Sequence, residues 1–124
     1  MSTTYHEATL GPYDTRFVAW AEGEHLLISA RHATDAERPV PGCVLNDDQA
    51  RQLLAHLHPG LRFSLECISG AVELFPWGNL HLQNVVMEGK AELGLTSYDL
   101  RGGYHGLANL IRQAMKDRTL LEKA

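Results

Sequence analysis

Ser97–Lys116, SYDLRGGYHGLANLIRQAMK, places an aspartate, an arginine, a histidine and three glycines where an apolar, β-like run passes into a helix-like one. Arg101, Gly102, Gly103 and His105 are residue types that hold an anion. Glycine backbone N–H groups can line a concavity at a helix N-terminus, with a cationic side chain alongside. The spacing, however, is G-G-x-x-G, which is neither G-x-G-x-x-G nor G-x-x-x-x-G-K-[ST]. The run before it reads as an antiparallel strand, not as the first strand of a βαβ unit. The expectation is therefore a strand-to-helix turn capped by Asp99, with Gly106 permitting close packing of the helix on a sheet. Arg101, Gly102, Gly103 and His105 stay as ligand-binding candidates, because an anion or a partner's carboxylate could dock there.

A second candidate is the turn in ELFPWGNLH. Phe75, Pro76 and Trp77 cluster where a hairpin reverses, and large aromatic side chains at such tips are enriched in protein-binding surfaces. The competing expectation is that Phe75 and Trp77 fold back over the end of the core. A third is a polar sheet face. His25 lies opposite Leu26, and His81 and Gln83 lie opposite Leu80 and Leu82. If both strands share a sheet, His25, His81, Gln83 and Thr96 line one wet face with Glu92.

Other chemistry finds less support. His56 and His58 form H-x-H at the end of a predicted helix, where neighbours two apart point different ways. A cation-capable side chain there also suits the helix dipole. No H-x-x-x-H or HExxH spacing occurs, so no metal and no cofactor is expected. No G-x-S-x-G is present and neither Cys43 nor Cys67 has a recognisable histidine partner, so no catalytic residue is assigned. The two cysteines sit among apolar neighbours, as buried free thiols do. Asp47 and Asp48 are explained by their place at a helix start.

The elements that would position these groups follow from periodicity. RFVAW and HLLISAR are short β-type runs joined by AEGE, where Gly23 suits a tight hairpin. CVL is a third short run. LNDDQARQLLAHLHPG is the clearest helix: Asn46 caps it, Gln49 completes a capping box, and Ala50, Leu53, Leu54 and Leu57 form one stripe. Pro59-Gly60 ends it. Phe63, Leu65 and Cys67 then alternate with polar residues, and a turn or a bulge at Ser69-Gly70 would shift the phase toward Val72 and Leu74. LHLQNVVM and AELGLTSY are further strands. Tyr104, Leu107, Ala108, Ile111, Ala114 and Met115 give a second helical stripe, beside a short basic run, Arg112, Lys116 and Arg118, that reads as a solvated face.

This order predicts an α+β fold: one antiparallel sheet of five to six strands in β-β-β-α-β-β-β-α order, with two amphipathic helices packed on one face. Each half would be an antiparallel set followed by one helix. The 124 residues suit a single domain, with a loose N-terminal arm over 1–14 and an exposed, proline-containing loop over 32–42. The formal net charge of -4 argues against nucleic acid as a partner. No apolar run reaches the length of a membrane span and the start lacks the features of a signal peptide, which points to a reducing cytoplasm. A sheet open on one side leaves room for a homodimer. The expected function is a small, acidic, non-catalytic protein-binding module of the accessory, inhibitor or immunity type. The alternative is a ligand- or anion-binding protein, or an enzyme, using the polar sheet face or the Arg101–His105 turn.

Overall fold

The structure is a computed structural model that describes residues 3–31, 42–84 and 94–118. Among these residues the chain forms strands β1 (His6–Leu10), β2 (Thr15–Glu22), β3 (His25–Arg31) and β4 (Cys43–Leu45), then helix α1 (Asp47–Ala55). Strands β5 (Phe63–Glu66), β6 (Ala71–Leu74), β7 (Asn79–Asn84) and β8 (Gly94–Asp99) follow, then helix α2 (Tyr104–Lys116). The fold is α+β, but the expected single sheet of five to six strands is two. β1-β2-β3-β4 and β5-β6-β7-β8 are separate four-stranded antiparallel meanders.

Two physical reasons account for the difference. The N-terminal arm is not loose throughout. His6–Leu10 pairs along β2, from His6 opposite Ala19 to Leu10 opposite Thr15, and the Gly11-Pro12 breaker is the turn between them. The sheet is also cut where the chain leaves β4 for α1, so β5 starts afresh. The proline-containing loop lies outside the described residues, apart from Gly42. Among the described residues no helix is long and apolar enough to cross a membrane.

Local rules hold where the sequence was most explicit. Asn46 Oδ1 accepts from the Gln49 backbone N–H at 2.7 Å, and Gln49 Oε1 accepts from the Asn46 N–H at 3.0 Å, so the capping box is complete. The Gln49 amide also donates to the Glu66 carbonyl at 3.1 Å, tying the start of α1 to β5. His25 pairs with Glu22 across the Gly23 hairpin.

Both sheets and both helices share one core. Phe17, Ala19, Leu26 and Ile28 enter it from the first sheet; Leu65, Val72, Leu74, Leu80 and Leu82 enter from the second. Leu53 and Leu57 of the α1 segment meet Leu107, Ile111 and Ala114 of α2 there. α2 follows the second sheet yet packs closest on β1 and β2 of the first. Its C-terminal end is pinned there: His6 Nε2 lies 2.6 Å from an Asp117 carboxylate oxygen, and buried Arg118 pairs with Asp47 at the start of α1. The outer faces differ. On the first sheet Val18, Trp20 and Leu27 are buried as well, so this face is not wet. On the second, Ser64 and Glu66 are exposed, while Glu73, His81 and Gln83 are half-buried.

A backbone bridge joins the sheets. The Val44 N–H donates to the Ser69 carbonyl at 2.9 Å, and the Ser69 N–H donates back at 3.3 Å. Gly70, beside it, has φ of 83°. A Cβ there would stand 2.4 Å from the Gln83 carbonyl oxygen and 3.0 Å from that of Gly42, both backbone atoms. Ser69-Gly70 is thus a turn, not a bulge, and it needs glycine for conformation and for space. Cys43 and Cys67 flank this bridge as free thiols. Their hydrogen bond, together with burial, pushes the Cys43 thiol far up. The same bond holds the Cys67 thiol below its usual range.

Gly70→Ala is expected to cost about 2 kcal/mol or more, combining positive-φ strain with overpacking against rigid carbonyls. Thermal unfolding of the variant measures it, and an unchanged midpoint would contradict this account of the junction. Under native conditions iodoacetamide should modify Cys67 well ahead of Cys43, read by peptide mass spectrometry, since the thiolate is the nucleophile and Cys43 is fully buried.

Candidate binding cleft

The two features that stood out along the chain, more than twenty residues apart, come together. The turn after β6 and the corner before α2 form opposite walls of a cleft of about 450 Å³. Pro76, Trp77 and Gly78 line one wall; Arg101, Gly102, Tyr104 and His105 line the other. The end of α1 closes the third side with Leu54, Leu57, His58 and Pro59, and Ala108 and Arg112 extend the α2 wall.

Backbone hydrogen bonds fix these walls. The Gly78 N–H donates to the Phe75 carbonyl at 3.0 Å, and the Phe75 N–H to the Asn79 carbonyl at 2.9 Å, closing the turn. The Gly60 N–H reaches the Pro76 carbonyl at 3.2 Å, joining the turn to the end of the α1 segment. The Leu100 N–H reaches the Gly78 carbonyl at 2.8 Å, joining it to the approach to α2. All three walls are thus tied through the 75–79 turn.

The aromatic turn does not fold away. Trp77 is 65% exposed. Its ring stacks on half-buried Phe75 at 5.0 Å between centroids, with planes 21° apart. Phe75 in turn meets the His81 ring at 4.4 Å and lies under the Arg62 guanidinium at 5.4 Å. Phe75 therefore rests on the outer face of the second sheet and props Trp77 at the rim of the cleft.

The glycine corner is a turn, as its spacing suggests. Gly102 has φ of 76°, a conformation that favours glycine. Gly103 is the N-cap of α2 and makes no side-chain cap bond. Leu10 of β1 packs against Gly106, where a Cβ would meet its Cδ2 at 2.3 Å, so the helix does lie close on the sheet. Asp99 caps the turn by accepting the Arg101 backbone N–H at 3.1 Å. Its carboxylate also takes the Arg101 guanidinium in a fork, Nε to Oδ1 at 2.9 Å and Nη2 to Oδ2 at 2.7 Å. These contacts hold the Asp99 carboxyl below its ordinary value of 3.8, against a smaller opposing effect of burial. The Tyr104 phenol is pushed up, by burial first and then by the Asp99 charge. Arg101 thus serves as a wall of the cleft with its charge already matched.

No protein-family model, curated protein or solved structure matches the chain. The cleft is therefore read from its own geometry.

The proposed polar face does not assemble as expected. His25 belongs to the first sheet and His81 and Gln83 to the second, so the condition that they share a sheet fails. His25 shares a hollow with Asn46 and Asp48 at the start of α1. His81 and Gln83 lie together over a shallow hollow with Glu66 and Glu73. The H-x-H pair also divides. His56 Nδ1 lies 2.8 Å from the Gln52 carbonyl and its ring stacks on Phe63 at 4.1 Å, whereas His58 lines the cleft. Among the described residues no group of three metal-ligating side chains comes together.

Nothing local in the sequence marks Leu54, Tyr104, Ala108 and Arg112 as site residues, and His58 stands out only as half of the H-x-H pair. Leu54, Tyr104 and Ala108 carry the helical apolar period and read as core, and Arg112 reads as a solvated charge. The available signal was the four-residue spacing of Tyr104, Ala108 and Arg112, which puts a cation at the end of an apolar row on one helix face.

Because the folded Asp99 carboxyl titrates below its unfolded value, its contribution to stability is complete above pH 3.8 and is lost as pH falls through the lowered folded value. Asp99→Asn should therefore flatten part of the stability loss below pH 3.8, measured by urea unfolding across an acid series. A variant with the same acid slope as the parent would contradict the Asp99–Arg101 fork.

Proposed function

We propose that the protein is a non-catalytic binding module whose recognition surface is this cleft, and that its occupant is a segment of another protein. The observation that carries this reading is Trp77, held two-thirds exposed on Phe75 at the rim of an apolar cleft. A rigid aromatic side chain set beside a concavity is the arrangement on which binding energy concentrates. Walls tied by backbone hydrogen bonds support the reading, since a pre-formed surface loses little entropy on binding. The lining supports a non-catalytic role: among the described residues it has two histidines but no serine, cysteine or carboxylate to pair with either.

A second reading is favoured by one quantity. A cleft of about 450 Å³ lies within the range of roughly 300–1,000 Å³ typical of small-molecule sites. In that case the occupant is a small amphipathic molecule and Trp77 its lid.

Trp77→Ala should leave the unfolding midpoint within about 2 °C of the parent, because the side chain is mostly in water, while weakening capture of the physiological partner by about tenfold or more. Affinity capture from the native cell with quantitative mass spectrometry, parent against variant, measures this. If every captured protein is retained equally by the variant, the cleft is not the binding surface.

A further inference from the structure

The charge inside the cleft runs against the charge of the chain. The protein carries a formal net charge of -4, with fifteen acidic residues against eleven basic ones. Among the described residues the cleft wall contains no aspartate or glutamate, whereas it contains His58, Arg101, His105 and Arg112. Asp99 matches the charge of Arg101. Arg112 has no ion-pair partner among the described residues, and neither histidine there has a carboxylate within ion-pair distance. The two histidines can each donate a hydrogen bond whether neutral or charged. Between these donors the lining is apolar, with Leu54, Leu57 and Ala108.

Accepting the binding-module reading above, on which this rests, we propose that the segment docking in the cleft is an acidic peptide anchored by one bulky apolar side chain. The anchor enters between Leu57 and Ala108 beneath Trp77. Its neighbouring aspartates or glutamates face Arg112, His58 and His105. Complementarity of this kind selects partners and suppresses wrong ones, because a basic segment would meet like charge at Arg112.

The test is selection from a phage-displayed library of random twelve-residue peptides on the full chain, with the Trp77→Ala protein as the counter-selection. Peptides enriched by the parent should carry a Leu, Ile, Phe or Trp flanked by at least two Asp or Glu. A synthetic peptide of the enriched sequence should lose about tenfold in affinity to an Arg112→Glu variant that folds normally by circular dichroism, with fluorescence anisotropy as the readout. Enriched peptides that are neutral or basic would overturn the acidic assignment while leaving the cleft as a peptide site. No peptide distinguishing the parent from Trp77→Ala would overturn both the assignment and the binding-module reading beneath it. Equal affinity for 4-phenylbutyrate, an amphipathic acid without a peptide backbone, would overturn the peptide in favour of a small ligand.

Discussion

Gly70 bears the constraint on which the rest of the structure depends. Its backbone sits against the carbonyls of Gln83 and Gly42, while Ser69 beside it exchanges two hydrogen bonds with Val44. This is where the edge of the first sheet touches the second, and a side chain at Gly70 would push two backbones apart. The half-buried backbone groups of Val44 and Ser69 are paired with each other, so the junction is held by these hydrogen bonds as well as by packing. Once β5 and β6 are set against β4, the hairpin that ends at Leu74 points its next turn toward the end of α1. The position of Trp77 is thus fixed from the opposite end of its own hairpin.

The cleft has walls from both halves of the chain because the halves interlock. α2 is made after the second sheet yet packs on the first, and Arg118 and Asp117 anchor its far end to Asp47 and His6. Tyr98 adds a cross-link from β8, its hydroxyl donating to the Ala30 carbonyl of β3 at 3.1 Å. A helix crossing back in this way must pass the end of α1, and the gap between the two helix ends is where the cleft opens. Leu107 and Ile111 face the shared core while Tyr104, Ala108 and Arg112 flank the gap, so one helix serves both with adjacent stripes.

What could be read from the sequence is what local physics decides. The capping box at Asn46 and Gln49, the Gly23 hairpin and the Asp99 cap each close within four residues, and each stands as its spacing indicated. The division into two sheets was not legible, because it depends on whether β4 continues into β5 through backbone pairing, and three residues of β4 carry no signal of that. β1 was missed because HEATL has a weak alternation and is followed by a proline, which marks a turn as readily as an unstructured arm. The placing of Trp77 and His105 on one cleft was out of reach for the same reason: it follows from the helix crossing, a tertiary event with no local periodicity. The His25–His81 face failed on a long-range condition of the same kind.

The two tryptophans differ in how much of their surface the fold uses. Trp20 is buried at 1% exposure, its ring against Tyr5 and its Nε1–H donating to Glu22 at 3.0 Å. Trp77 keeps 65% of its surface in water. Burial stabilises by about 25 cal/mol per Å² of apolar surface, so most of what a tryptophan can contribute is realised at Trp20 and withheld at Trp77. Phe75 alone would cover the outer face near His81 and Arg62, since it makes those contacts itself. The apolar surface left at Trp77 is surface that a bound partner could still bury, and it stands in the same cleft as His58, His105 and Arg112, which have no ion-pair partner among the described residues. On the proposed reading, hydrophobic burial and charge complementarity would act on the same occupant at the same place, the first setting how tightly it is held and the second which occupant it is.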